Sequence, residues 1–149
     1  MSVAARYAVF SVLLISAELG IGQPGDSDAR AKLVGVWVGY AVEGKGESPD
    51  KGPVKVELTI TKDTITGIGL KGNERNDLGI GTYTVKLGKA PFELDGDKMT
   101  GNPNRKEVWV GIYELNGDTL KWCVARKKRA TTFETGGGAF LLILKRQAK

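Results

Sequence analysis

The chain has 149 residues and a formal net charge of +5, from 22 Lys and Arg against 17 Asp and Glu, with one Cys and no His. The absence of histidine excludes Ser-His-Asp and Cys-His catalysis and the usual zinc sites. A single cysteine excludes an intramolecular disulfide, so packing must hold the fold. The length is enough for one domain with one core.

Residues 1–22 have the pattern of a secretory signal peptide. Arg6 supplies a positive charge, Ala8–Ala17 is an apolar run, and Gly20-Ile21-Gly22 places small residues where a signal peptidase reads. The apolar run is shorter than the ~20 residues that a membrane-spanning helix needs. We therefore expect cleavage after Gly22, with a site after Ala17 as the alternative. The mature protein is then exported, to the periplasm or the extracellular space.

Short strand signals separated by turn signals fill the rest of the chain. Residues 23–28 predict a linker, and residues 29–149 a single domain that opens with a short helix, Ala29–Leu33, capped by Ser27 or Asp28. Strands are indicated by alternating apolar and polar residues or by short apolar runs. The predicted strands are 33–42, 54–61, 64–70, 78–87, 92–94, the two arms of a hairpin over 108–124, and 139–146.

Polar and glycine-rich segments predict the connections. Lys71–Asp77 is expected to be a charged loop and Asp95-Gly96-Asp97 a turn, because Asx and Gly residues favour turns. Thr131–Glu134 could extend a strand. The apolar phase slips within 64–70, so Gly67 or Gly69 is expected to hold a β-bulge.

The clearest element is the hairpin around Asn116-Gly117, because Asn-Gly favours a type I′ turn with φ > 0 at both central residues. Facing residues on the two arms point to the same side of the sheet. One side is then a core face with Trp109, Tyr113, Leu120, Trp122 and Val124. The facing pairs that this loop predicts are Tyr113 with Leu120, Gly111 with Trp122, and Trp109 with Val124.

Two smaller expectations follow from this hairpin. Gly111 leaves room for the Trp122 indole across the ladder. Cys123 lies on the opposite side from Trp122, where we expect a small buried hydrophobe instead of a reactive thiol.

Regular short strands with no helix longer than two turns indicate a sandwich or a barrel. We predict an up-and-down barrel, because closure hides the strand edges that an exported all-β chain must protect. The expected fold is all-β: a single antiparallel barrel of about eight strands with a short N-terminal helix.

Several short segments also carry a family resemblance. They are Leu33-Val34-Gly35-Val36-Trp37, Gly81-Thr82-Tyr83, the hairpin over 111–125, and Leu141–Arg146. In this order and spacing the chain resembles, over 30–147, the lipocalin-like domains of unknown function that are numerous in planctomycete bacteria. The resemblance implies an exported bacterial lipocalin-like barrel, and it supplies no activity, ligand, cofactor or catalytic residue.

The wider lipocalin pattern pairs a Trp of the first strand with a basic residue after the last strand. Trp37 and Arg146 match these positions, so the resemblance implies a structural cation–π contact that closes the barrel end. Gly35, Asn116 and Gly117 are the other residues to which we assign structural roles.

No motif indicates an enzyme. Residues 67–72 formally match G-x-G-x-x-G, but a charged turn and another strand follow where a dinucleotide site needs a helix. Asp95 and Asp97 are more simply turn residues than calcium ligands, and nothing singles out a carboxylate pair for a glycosidase. We predict no catalytic residue, metal site or cofactor.

Arg126-Lys127-Lys128-Arg129 is the densest basic run. Its charge could recruit an anionic component of the cell envelope, such as an acidic polysaccharide or lipid. Export argues against nucleic acid as the partner. The alternative is a solvated loop whose charge protects a sheet edge.

The sequence leaves two functions open. If Tyr83, Trp109, Tyr113 and Trp122 face inward, they could bind a small apolar molecule, with the two hydroxyls orienting it. The alternative is an envelope or surface interaction module whose barrel the same rings fill. A void open at one end favours the first function, and a closed core favours the second.

Overall fold

The structure, a computed structural model, describes residues 25–43, 54–99 and 106–148. The predicted signal peptide lies outside these ranges, as do most of the segments 43–53 and 98–106 that separate predicted strands. Within these ranges there is no helix with the length and apolar character that crossing a membrane requires. The elements are α1 (Asp26–Leu33), β1 (Gly35–Glu43), β2 (Val54–Ile60), β3 (Thr64–Lys71), β4 (Glu74–Lys86), β5 (Phe92–Met99), β6 (Lys106–Asn116), β7 (Thr119–Ala125) and β8 (Ala139–Arg146).

The eight strands form a closed antiparallel barrel. Each strand pairs with the next along the chain, and β8 pairs with β1, where Trp37 faces Arg146. Closure leaves no unpaired strand edge in the barrel wall. The all-β, up-and-down, lipocalin-like barrel with a short N-terminal helix is confirmed.

Side-chain alternation places one face of each strand in the interior. In β2, Val56, Leu58 and Ile60 are at most 4% exposed, while the residues between them are more exposed. The nearly continuous apolar run of β8 obeys the same period, because Leu142 and Leu144 are buried while Ile143 is 41% exposed. The period of two, more than local hydrophobicity, decides which residues enter the core.

The helix is longer than predicted. It begins at Asp26 instead of Ala29, and Gly25 occupies the N-cap position without a side-chain hydrogen bond. The predicted caps, Ser27 and Asp28, lie inside the first turn. There the carboxylates of Asp26 and Asp28 lie near the positive end of the helix dipole, which stabilises this start.

Two predicted connections are strand in the structure. The charged loop Lys71–Asp77 shrinks to Gly72 and Asn73, and β4 already begins at Glu74. The predicted turn at Asp95-Gly96-Asp97 lies within β5. In both segments the neighbouring strands supply backbone partners, and this pairing overrides the local turn preference of Asp, Asn and Gly. Thr131–Glu134, in contrast, is not part of a strand.

The predicted hairpin register is wrong by two residues. Asn116 pairs with Thr119, so the loop is Gly117-Asp118. Gly117 has φ 55°. In the described ranges every residue with positive φ is a glycine, so Asp118 has negative φ. A glycine with positive φ at the first loop position is the type II′ pattern, not type I′. Tyr113 therefore faces Trp122, and Gly111 faces Val124. Because the register differs by an even number of residues, every side chain of the hairpin stays on the side of the sheet that was predicted for it.

The predicted β-bulge is present where β3 meets β4. Gly67 pairs with Gly79 and the next residue, Ile68, pairs with Asp77, so Leu78 is the extra residue. The bulge thus belongs to β4, although β3 carries the register signal. The Asp77 carboxylate accepts a 2.7 Å hydrogen bond from the Gly79 N–H and stabilises the irregular backbone.

The barrel end next to α1 is filled and sealed. Trp37 is fully buried, and its indole N–H donates a 2.8 Å hydrogen bond to the Leu33 carbonyl at the end of α1. The Arg146 guanidinium lies 4.1 Å from the Trp37 ring centre. Gly35 leaves space for it, because a Cβ there would lie 2.8 Å from Arg146 Nη1. The contact expected from the resemblance is therefore formed.

A second, smaller apolar cluster lies outside the barrel. It contains Ile112, Cys123, Ala125 and Ala139, and residues of the β7–β8 connection such as Phe133 pack on it. Cys123 is fully buried there, as expected, and burial raises the pKa of its thiol. The β7–β8 connection therefore covers part of the outer wall.

Candidate ligand-binding cavity

A cavity of about 390 Å³ occupies the barrel interior at the end opposite α1. Most of its lining residues lie near the ends of β1, β5 and β7 and near the starts of β2, β6 and β8, away from the helix. Leu58 and Ile65 lie closer to the filled end, since Leu58 pairs with Trp37. The apolar side chains that bound it include Val56, Leu58, Ile65, Val124, Phe140 and Leu142.

The cavity exists because one side of the barrel lacks side chains. Gly67, Gly79, Gly81 and Gly96 line it from β3, β4 and β5, and we call these four residues the glycine wall. Gly67 and Gly79 face each other directly, and Gly81 follows on the same face. The interior of an eight-stranded barrel is normally just filled by its own side chains. Four inward positions without side chains therefore leave unfilled volume.

The Trp122 indole lines the cavity and is held in place. Its N–H donates a 3.0 Å hydrogen bond to the Leu94 carbonyl, and the side chain is 7% exposed. A Cβ at Gly111 would lie 2.5 Å from Trp122 Nε1, which confirms that this glycine makes room for the indole. At the far edge of the ring, a Cβ at Gly96 would lie 3.5 Å from Cη2. The indole has little freedom to move.

Trp109 marks the outer part of the cavity. The Arg126 guanidinium lies 4.8 Å from the Trp109 ring centre, and the Phe140 ring lies 5.7 Å from it at a tilt of 47°. Arg126 also lies 3.7 Å from the Glu107 carboxylate, a long and exposed ion pair that contributes little stability. The cation thus lies beside the cavity without a strong partner.

The structure divides the four predicted ligand residues into two pairs. Trp109 and Trp122 line the cavity, while Tyr83 and Tyr113 do not. The Tyr83 hydroxyl donates a 2.8 Å hydrogen bond to the Thr61 carbonyl. Tyr113 is 4% exposed, and burial, with the negative charge of Asp26, raises the pKa of its hydroxyl. The two tyrosines belong to the filled half of the barrel.

The glycine wall is not predicted as part of a site from the sequence. The signal was present, because Gly67 and Gly69, and likewise Gly79 and Gly81, are spaced two residues apart. This spacing puts paired glycines on one face of each strand. The sequence predicts a bulge at Gly67 or Gly69 and assigns no role to Gly79 or Gly81. The bulge itself involves Gly79, whose φ is 96°.

The predicted basic run does not form one continuous charged surface. Arg126 lies over Trp109, and Arg129 points back to the barrel wall, while Lys127 and Lys128 are exposed. Two of the four cations are therefore engaged by groups of the same chain. Lys127, Lys128 and the weakly paired Arg126 are the exposed cations of this run.

Arg129 fills an interruption in the β5–β6 ladder. Pairing stops after Glu93 and resumes at Gly96. In the gap, the Gly111 N–H donates a 3.0 Å hydrogen bond to Asp95 Oδ1 instead of to a backbone carbonyl. Arg129 donates to the Gly111 carbonyl at 2.7 Å and to Asp95 Oδ2 at 2.8 Å, and its Nη1 also contacts Oδ1. This side-chain bridge replaces the missing ladder bonds.

The bridge shifts the ionisation of its two partners. Burial alone would raise the pKa of the Asp95 carboxyl, but hydrogen bonds from Arg129 and Gly111 and nearby positive charge bring that pKa below its ordinary value. The hydrogen bond to Asp95 raises the pKa of Arg129. The pair is therefore ionised under neutral conditions and anchors the β7–β8 connection to the barrel.

In the part of the chain that the structure describes, no three side chains among His, Cys, Asp and Glu lie where they could hold one metal ion. Comparison with known proteins finds no protein-family model, curated protein or solved structure that matches this chain.

Proposed function

We propose that this protein is an exported, non-enzymatic carrier that binds a small apolar molecule inside its barrel. The observation that supports it is the cavity of about 390 Å³ in an otherwise filled barrel. Ligand pockets have volumes of about 300–1,000 Å³ and are lined mainly by hydrophobic and aromatic side chains with a few polar groups. This cavity has that size and that composition.

The wall chemistry favours an apolar ligand. Aliphatic side chains and two indoles dominate the lining, and the polar residues in it are Thr82, Asp97 and Arg126. The Asp97 Oδ1 atom is buried and accepts no hydrogen bond within the described ranges. A ligand therefore gains mainly from removal of its apolar surface from water, at roughly 25 cal/mol per Å².

The cavity is also preformed. The hydrogen bond from Trp122 to Leu94 and the bridge between Arg129 and Asp95 hold its walls without a ligand. A preorganised site spends less free energy on ordering when the ligand enters. The filled-barrel alternative requires side chains throughout the interior, and the cavity half carries glycines in their place.

Export is part of the proposal and rests on the signal-peptide pattern of residues 1–22. N-terminal sequencing of the exported protein should begin at Gln23. Recovery of the full-length chain in the cytoplasm alone would contradict this part of the proposal.

Titration of the native protein with a hydrophobic fluorophore tests the carrier function. We expect saturable binding with quenching of tryptophan emission, weakened about tenfold in Trp109→Ala because that ring lines the cavity. Tyr113→Phe is the matched control: it alters an aromatic residue in the filled half and should leave the affinity unchanged. Equal losses in both variants, or no binding to the wild type, would refute the assignment.

A further inference from the structure

The cavity is a slot with one flat wall. Gly67, Gly79 and Gly81 lie on adjacent strands and present bare backbone to the interior. Gly96, on the next strand, extends this surface toward Trp122. Glycine inside a strand is typical of places where a ligand or another backbone approaches closely.

The opposite wall is made of side chains. In a closed barrel of eight strands in sequential order, β7, β8 and β1 lie across from β3, β4 and β5. These strands contribute Trp122, Val124, Phe140 and Leu142 to the cavity. The space therefore lies between flat peptide groups on one side and bulky groups on the other.

The bulky wall cannot readily rearrange. Trp122 is fixed by its hydrogen bond to Leu94 and by contact with Gly96, and Trp109 contacts both Arg126 and Phe140. A flexible chain would lose rotational freedom in such a fixed slot, at a cost of about 0.5–1.5 kcal/mol for each rotamer-rich group that is immobilised. A rigid flat molecule has little such freedom to lose.

We propose that the ligand is a planar, rigid, aromatic or fused-ring molecule that lies between Trp122 and the β3–β4 part of the glycine wall, formed by Gly67, Gly79 and Gly81. This inference rests on the carrier function proposed above and specifies its ligand class. One face of the ligand contacts the peptide groups of β3 and β4, and the ring system meets the Trp122 indole in an offset or edge-to-face arrangement. The size of the cavity, the immobilised indole and the bare wall of β3 and β4 together define this class.

Isothermal titration calorimetry with two probes of equal carbon number and equal charge tests the inference. Pyrenecarboxylate is flat and rigid, and heptadecanoate is a flexible chain. We expect pyrenecarboxylate to bind one molecule per chain and about tenfold more tightly than heptadecanoate. Binding of heptadecanoate with equal or higher affinity would overturn the planar class and leave the carrier function intact. Binding of neither probe would contradict the carrier function itself.

Substitution in the glycine wall tests where the flat probe lies. Gly81→Val places a branched side chain in the slot, and its backbone is not among those with positive φ, so a strand residue fits there. We expect about a tenfold loss of pyrenecarboxylate affinity. Thr84→Val adds the same side chain to the outer face of β4 and should change nothing. Unchanged affinity in Gly81→Val would overturn the inference, and Gly81→Ala provides a smaller intrusion if the valine variant does not fold.

Discussion

The guanidinium of Arg146 lies 4.1 Å from the ring centre of Trp37, at the seam where β8 closes onto β1. The same guanidinium donates hydrogen bonds of 2.6 Å to the Val34 carbonyl and to the Lys32 carbonyl. Carbonyls at a helix C-terminus lack intrahelical partners, and a cation there also complements the helix dipole. One side chain thus joins the barrel seam to the end of α1.

We expect Trp37 and Arg146 to be energetically coupled. Trp37→Ala should lower the free energy of unfolding by about 3–5 kcal/mol, because the indole is fully buried. Arg146→Ala should cost less, since the hydrogen bonds of its guanidinium to Val34 and Lys32 and its ion pair with Asp118 are all exposed. Urea denaturation of a double-mutant cycle should give a coupling of about 0.5–2 kcal/mol. Additivity of the two single changes within about 0.3 kcal/mol would rule out the cation–π contribution.

The bridge between Asp95 and Arg129 predicts a defined pH dependence. The pKa of Asp95 is lowered in the folded chain, so its stabilisation is complete above the unfolded carboxyl pKa of about 4. It is lost as the pH falls through the lower folded pKa, because protons then favour the unfolded chain.

Urea denaturation over a pH series tests this dependence. The stability difference between the wild type and Asp95→Asn should be constant near neutral pH and should shrink below about pH 4. Glu93→Gln is the control: Glu93 lies 3.3 Å from Arg129 but is more exposed, so its effect should be smaller at every pH. A wild-type advantage over Asp95→Asn that persists unchanged in acid would contradict the role of the bridge.

The same bridge should protect the only thiol of the chain. Cys123 is fully buried in the outer cluster on which the β7–β8 connection packs, and Arg129 anchors that connection. We expect native Cys123 to react slowly with a thiol reagent, because burial raises its pKa and blocks access. Arg129→Ala should speed the reaction about tenfold by making local opening easier.

Lys128→Ala is the matched control for this experiment, since Lys128 is exposed and lies next to Arg129. It should leave the rate of thiol modification unchanged. Equal rates in the wild type and in Arg129→Ala would show that the bridge does not hold the connection in place.

Much of the architecture could be predicted because its causes are local. The period of two in 54–60 and the apolar run of 139–146 set strand positions and faces. The face carrying Trp109 and Trp122 survived the error in the hairpin register, since an even shift keeps every side chain on its own face. The closing pair Trp37 and Arg146 was found by resemblance.

The rest depends on contacts that no local pattern encodes. Strand pairing, not turn preference, extends β5 through Asp95-Gly96-Asp97. The two arms of the hairpin pair in a register that makes Gly117-Asp118 the loop, instead of the Asn116-Gly117 loop that the local sequence predicts. Whether an inward aromatic ring fills the core or lines a cavity depends on what the opposite strands carry. Tyr83 and Trp122 are both aromatic residues on the inward faces of predicted strands. Trp122 lines a cavity and Tyr83 does not, because glycines on the strands opposite Trp122 leave volume unfilled.

The binding of a ligand inside the barrel is tested most directly by the stoichiometry of fluorophore binding. The measurement compares two variants that carry the same substitution at adjacent residues of β8. Leu142 lines the cavity and is 8% exposed, while Ile143 points outward and is 41% exposed. Leu142→Trp should fill the slot and abolish binding, and Ile143→Trp should still bind one dye per chain, as the wild type does. Equal binding by the two folded variants, or no binding to the native wild type, would contradict a ligand inside the barrel.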